Sequence, residues 1–151
     1  MSRRDQIVMS DAEAAAFLEE ERIVTCATLG RDGRPHLMPL WYVVRDGRLW
    51  AWTYAKSQKT RNLQRDPRAT LQVEAGRDVY GELRGVMIEA DTVLHRDVET
   101  VAGVGAALTR RYAGVDAPPE AMAAQAPKRV AFEFRETSRV TWDHRKLGGT
   151  Y

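Results

Sequence analysis

The sequence predicts a mainly β fold, six antiparallel strands closed or nearly closed into a barrel with helices packed outside. Three observations carry this. Stretches patterned as strands recur at 22–29, 34–44, 49–54, 69–75, 82–94 and 129–134, the last extending toward Trp142. Tight-turn sequences, Gly30-Arg31-Asp32-Gly33 and Arg45-Asp46-Gly47, join the first three into a meander. Regular β-α-β alternation is missing, which argues against a doubly wound parallel sheet, and so many strands bury better in a barrel than in one flat sheet.

Ser10-Asp11-Ala12-Glu13 is a capping box, and Ala14, Phe17 and Leu18 supply the apolar stripe of a first helix ending near Glu21. Pro35 and Pro39 cannot donate to a ladder, so the 34–44 strand is expected at an edge or bulged. Asp66-Pro67 ends a short basic helix that Ser57 caps. Gly85 is a candidate kink in the 82–94 strand. Asp97 caps a helix carrying Val98, Val101, Ala102, Leu108 and Tyr112, and the Ala- and Pro-rich segment 113–127 reads as weakly structured, with a turn of helix after Pro119.

The 151 residues suit one domain, 1–151, with 1–9 and 143–151 expected as flexible tails. A chain 44% hydrophobic and 29% charged is that of a soluble globular protein. Cys26, the single cysteine, permits no internal disulfide and sits among apolar neighbours. No apolar run reaches membrane-span length and the N-terminus lacks signal-peptide regions, so a cytoplasmic protein without membrane contact is expected.

Charge is concentrated in one place. Between Thr53 and Arg68 five basic residues face one acid, giving the segment +4 against +2 for the whole chain. So local a charge suits a small anion, and no nucleic-acid partner is expected. Lys56-Ser57-Gln58-Lys59 stands where strand turns into helix, and lysines are misplaced in a first turn, where the macrodipole favours acids. Two readings follow: an anion held by N–H groups, the Ser57 hydroxyl and two ammonium groups, or a solvated face of Lys56, Lys59, Arg61, Arg65 and Arg68.

Other motifs point to less. His36, His95 and His144 are far apart and lack a second ligand at metal spacing, so no metal is expected. No nucleophile elbow occurs. Gly103-Val104-Gly105 lies inside a helical pattern, where glycines serve close packing. Glu89 and Asp91 share a strand face without further signal, and Trp41, Trp50 and Trp52 cluster on adjacent strands as core residues do. Trp142, followed by Asp143-His144-Arg145-Lys146, suits a planar ligand or a subunit interface.

The element order over residues 10–142, with Ser57-Gln58-Lys59 leading to Asn62-Leu63 and then Asp66-Pro67, resembles the flavin-binding split barrel of the pyridoxamine 5′-phosphate oxidase-like superfamily. The resemblance implies a six-stranded split barrel of the FMN-binding type. It assigns the cofactor phosphate to Lys56, Ser57 and Lys59, with Asn62 one helical turn on, and the planar ring to Met38, Pro39, Leu40 and Thr53. It further implies a homodimer with the cofactor at the subunit interface and Trp142 reaching the partner's cofactor. The Arg- and His-containing C-terminal segment that grips substrate phosphate in true pyridoxamine phosphate oxidases is missing, which speaks against that activity.

Within the superfamily, Lys59-x-x-Asn62-Leu63-x-x-Asp66-Pro67-Arg68 and the terminal Trp142-Asp-His-Arg-Lys resemble the type that binds the deazaflavin coenzyme F-420. The implied activity is hydride transfer from reduced F-420 to a conjugated small-molecule acceptor, with Arg61 and Arg65 available to the anionic tail. FMN is the alternative cofactor, and a non-catalytic flavin, deazaflavin or haem carrier the alternative role. No catalytic residue is assigned; Tyr54, Tyr80 and His36 are the candidate proton donors.

Overall fold

The computed structural model describes residues 2–149. Helices α1 (Arg3–Gln6) and α2 (Asp11–Glu20) lead into strands β1 (Val24–Leu29), β2 (Pro35–Leu40), β3 (Val43–Arg45) and β4 (Arg48–Tyr54). Then come α3 (Gln58–Arg65), β5 (Arg68–Ala75), β6 (Arg84–His95), α4 (Val98–Ala113), α5 (Pro119–Gln125) and β7 (Arg129–Asp143). Local chemistry sets the helix starts. Ser10 Oγ accepts from the Glu13 N–H while the Glu13 carboxylate accepts from the Ser10 N–H. Ser57 and Asp97 cap α3 and α4 in the same manner, each accepting from the N–H three residues on.

The sheet is antiparallel with seven strands, not six, in the order β2-β1-β5-β6-β7-β4-β3. The extra strand comes from 34–44, which is divided at Trp41-Tyr42 into β2 and β3 at opposite edges of the sheet. Neighbours alternate in direction, so β2 and β3 run in the same sense, and the chain continues from one edge straight into the other. Laid flat, the edges of such a sheet would stand about 29 Å apart. The link from Leu40 to Val43 spans at most about 11 Å. The sheet is therefore rolled, with a seam between β2 and β3 that no ladder closes. Pro35 and Pro39 fall on the edge strand β2, where a missing N–H costs nothing.

Inside the roll lie Val24 and Cys26 of β1, Leu71 and Val73 of β5, Val86 and Ile88 of β6, and Phe132 and Phe134 of β7. Phe17 and Leu18 of α2 and Leu63 of α3 join the same core. A second core lies outside the sheet, where Val101, Val104 and Leu108 of α4 cover Val43, Ala131, Trp50 and Trp52. The seam is stapled from both sides. Buried Tyr42 donates its hydroxyl to Leu18 O at 2.6 Å and its N–H to the Tyr112 hydroxyl at 3.0 Å.

Two local expectations change. β6 runs through Gly85, and its register shift against β7 lies at Glu89 and Ala90. Gly85 is required for another reason: a Cβ there would overlap the Trp142 indole. Segment 113–127 contains α5, opened by Pro119 at its first position. At the termini, the Asp143 N–H donates to Ile7 O at 2.7 Å and Lys146 Nζ to Glu13 Oε2 at 2.7 Å. Of the segments read as tails, Met1, Thr150 and Tyr151 lie outside the described residues.

Candidate functional site

Strand β4 ends by turning Thr53 into the core, and the Tyr54 carbonyl then organises the start of α3. It accepts the Ser57 N–H at 3.0 Å and the Thr60 hydroxyl at 3.2 Å. Ser57 Oγ accepts the Thr60 N–H at 3.3 Å and lies 2.9 Å from Thr60 Oγ1. Because Thr60 gives its hydroxyl proton to Tyr54, Ser57 gives its own to Thr60. Ser57 is thus spent as a cap. The Gln58 and Lys59 N–H groups, the first two of the helix, have no helical acceptor.

The first turn of α3 contains no acid. Lys56, Lys59 and Arg61 form no ion pair among the described residues. The one acid of the segment, Asp66, is taken by Arg68 at 2.7 Å, and hydrogen bonds from Arg68 hold its carboxyl at about 2. Lys56, Lys59, two free N–H groups and the positive end of the macrodipole therefore stand uncompensated at the start of α3, which is the donor set an anion requires, while exposed Arg61, two residues beyond Lys59, lies about 200° away around the helix. The residues present fit a phosphate-bearing group.

Lys59 is half-buried, and burial pushes its ammonium below the ordinary 10.5, with Cys26 acting in the opposite direction. The Cys26 thiol is pushed up to about 12, chiefly by burial. Cys26 is also the register partner of Met38, so the β1 residue whose thiol acts on Lys59 is the one beside the candidate ring-binding strand. Met38 and Pro39 are exposed there, and Leu40 turns inward opposite Val24.

Asn62 is placed elsewhere. Fully buried, it donates to Thr28 Oγ1 at 3.0 Å and accepts from Gln58 Nε2 at 2.9 Å. Arg65 adds a bond to Leu29 O at 2.6 Å. These contacts pin α3 to β1. Thr60 and Thr28, both buried, are the site-building residues the sequence reading missed; the only signal for Thr60 was its place three residues after the cap.

On the outer face of the sheet, Ala27, Leu29, Pro35, Arg68, Thr70 and Glu89 line a cleft of about 400 Å³. A second, of about 480 Å³, holds Thr25, Gln72, Arg77 and Trp142. Thr25 and Ala27 are successive outward positions on β1, as Gln72 and Thr70 are on β5, so the two clefts adjoin. Trp142 is not brought to α3 within one chain. It pairs with Gly85, whereas Thr92, seven residues along β6, is the one that bonds Pro67 just beyond α3, a separation of about 23 Å along the strand. Among the candidate proton donors, Tyr54 is exposed beneath the Arg129 guanidinium and His36 lies on edge strand β2. Among the described residues no three His, Cys, Asp or Glu side chains gather as a metal site, and no helix is long and apolar enough to cross a membrane.

The sequence profile of pyridoxamine 5′-phosphate oxidases matches residues 10–141. The chain belongs to this family. Among solved structures, a conserved hypothetical protein of Mycobacterium tuberculosis, Rv2991, is 40% identical to this family member, covering 100% of this chain and 95% of its own, with a TM-score of 0.91. An F-420 reductase shares 22% identity over 87% of this chain and 98% of its own, at a TM-score of 0.69. A FAD-binding protein of Mesorhizobium loti shares 19% over 89% and 94%, at 0.68. The latter two likenesses establish the fold. Comparison with curated proteins gave no match.

Proposed function

We propose that the chain is an oxidoreductase that uses reduced F-420 to transfer a hydride to a conjugated small-molecule acceptor. The observation that carries this reading is the set of uncompensated cations at the start of α3, Lys56, Lys59 and Arg61. A coenzyme with a phosphodiester followed by an oligoglutamate tail uses all three: the first two with the Gln58 and Lys59 N–H groups, the third along the tail. A single FMN phosphate leaves Arg61 without a partner.

When bound, the deazaflavin supplies the hydride. The work of this chain is to bind and orient it. Lys56 and Lys59 anchor the anionic end, and Met38, Pro39 and Thr53 flank the ring. The reading takes a homodimer as the working unit, with exposed Ile23 and Leu37 contributing apolar surface to the subunit contact.

Titration of the purified protein with F-420 and with FMN, followed by visible absorption, tests this. F-420 is expected to bind more tightly. Tighter FMN binding moves the reading to a flavin enzyme. If neither binds better than about millimolar, a free energy near −4 kcal/mol, the cofactor assignment is lost.

A further inference from the structure

We infer that Lys128 and Arg129, where β7 begins, form a second anion subsite beside the α3 anchor and receive carboxylates of the coenzyme's oligoglutamate tail, so that this chain selects its coenzyme by tail length. The inference rests on the deazaflavin reading above and deepens it. One guanidinium pairs with one carboxylate. Arg61 therefore serves one point of the tail, and a tail of several carboxylates has acceptors to spare.

The sheet brings the second pair of cations to the anchor. The Ala55 N–H donates to Lys128 O at 3.0 Å, and Tyr54 is the register partner of Arg129. Lys128 thus lies against the peptide that leads into Lys56, from a place far along the chain. Segments 53–61 and 125–130 together carry five cations, Lys56, Lys59, Arg61, Lys128 and Arg129, and no acid. The first acid along β7, Glu133, is already claimed by Arg48, His95 and Arg135. Lys128 and Arg129 form no ion pair among the described residues.

Arg129 is also set in position. Its guanidinium lies over the Trp52 and Tyr54 rings, 4.8 and 3.8 Å from their centroids. Stacking occupies the face of the guanidinium and leaves its N–H edge for a planar carboxylate. The side chain is ordered before any ligand arrives, which lowers the entropic cost of binding. Tyr54 and Lys128 are both exposed, so the pair stands at the surface, where an extended tail can lie.

Calorimetric titration of the purified full chain, with no substrate present, compares F-420 carrying several glutamates with the same coenzyme lacking them. The tailed form is expected to bind roughly tenfold more tightly at low ionic strength, the scale of two exposed ion pairs, with the advantage shrinking as salt is added. Lys128→Glu, a charge reversal at an exposed position, should bring that ratio close to one, and Arg129→Met should cut it several-fold. Lys59→Ala should weaken both forms and keep the ratio. Circular dichroism verifies folding, and Lys128→Glu decides the matter if Arg129→Met loses the stack and fails to fold. A ratio close to one in the unmodified chain, or a ratio that neither variant changes, overturns the inference while the cofactor reading stands. Binding of neither form overturns both.

Discussion

Lys59 is half-buried, its ammonium disfavoured by that burial, and no acid compensates it. On the proposed reading, the anionic end of the cofactor is what a charge in that position serves. Lys59→Ala is therefore expected to weaken F-420 binding by about 1.5–3 kcal/mol, the range of a charged hydrogen bond, without lowering the melting temperature. Unchanged affinity would leave α3 a solvated face. Asn62 predicts the opposite pattern. Its amide satisfies Thr28 Oγ1 and Gln58 Nε2 from a fully buried position, so Asn62→Ala should cost about 1–3 kcal/mol in urea unfolding by leaving the Thr28 hydroxyl unpaired. Sequence spacing put Lys59 and Asn62 one helical turn apart. It could not say that the core would claim Asn62, because that depends on Thr28, thirty-four residues away.

At the scale of elements, whatever depends on near neighbours was readable and whatever depends on distant ones was not. The caps at Ser10, Ser57 and Asp97 are each written within four residues and appear as expected. The division of 34–44 into β2 and β3 is decided by which strands lie across from each half: β1 for one, β4 for the other. Both halves carry strand-like residues, so their pattern shows no break. Gly85 gives a similar lesson, a glycine read as a kink whose purpose is a ring fifty-seven residues on. Gly85→Ala should displace the Trp142 indole and cost about 1–3 kcal/mol by overpacking. Fluorescence would register Trp142 moving into solvent together with a lowered urea midpoint. An unshifted spectrum and midpoint would mean that the ring has room to give.

For the whole molecule, the rolled sheet followed from strand count and tight turns, while its seam and its acid-sensitive ties required coordinates. Three carboxylates, Asp66 at the end of α3, Asp143 at the end of β7 and buried Glu133 within β7, titrate below their ordinary values. Asp66 is held at about 2 by Arg68. Asp143, whose backbone N–H bonds Ile7, is lowered first by the Arg145 side-chain hydrogen bond. Burial alone would raise Glu133, but hydrogen bonds from Arg135 and His95, with the charges of Arg135 and Arg48, outweigh it and lower it from 4.5. A carboxyl with a depressed folded value binds fewer protons folded than unfolded, so its stabilisation is complete above the unfolded value and disappears as pH falls through the folded one. Melting temperature measured by circular dichroism should therefore hold between pH 7 and 5 with respect to these groups, then fall from about pH 4.5 toward pH 2. Glu133→Gln should flatten the upper part of that fall, since its three cationic or polar partners at 2.8–3.2 Å lose their charge-dependent gain in the variant at every pH. A decline centred near pH 6 would instead assign the acid sensitivity to histidine, and a flat profile down to pH 2 would show that these carboxylates are as well paired in the unfolded chain as in the folded one.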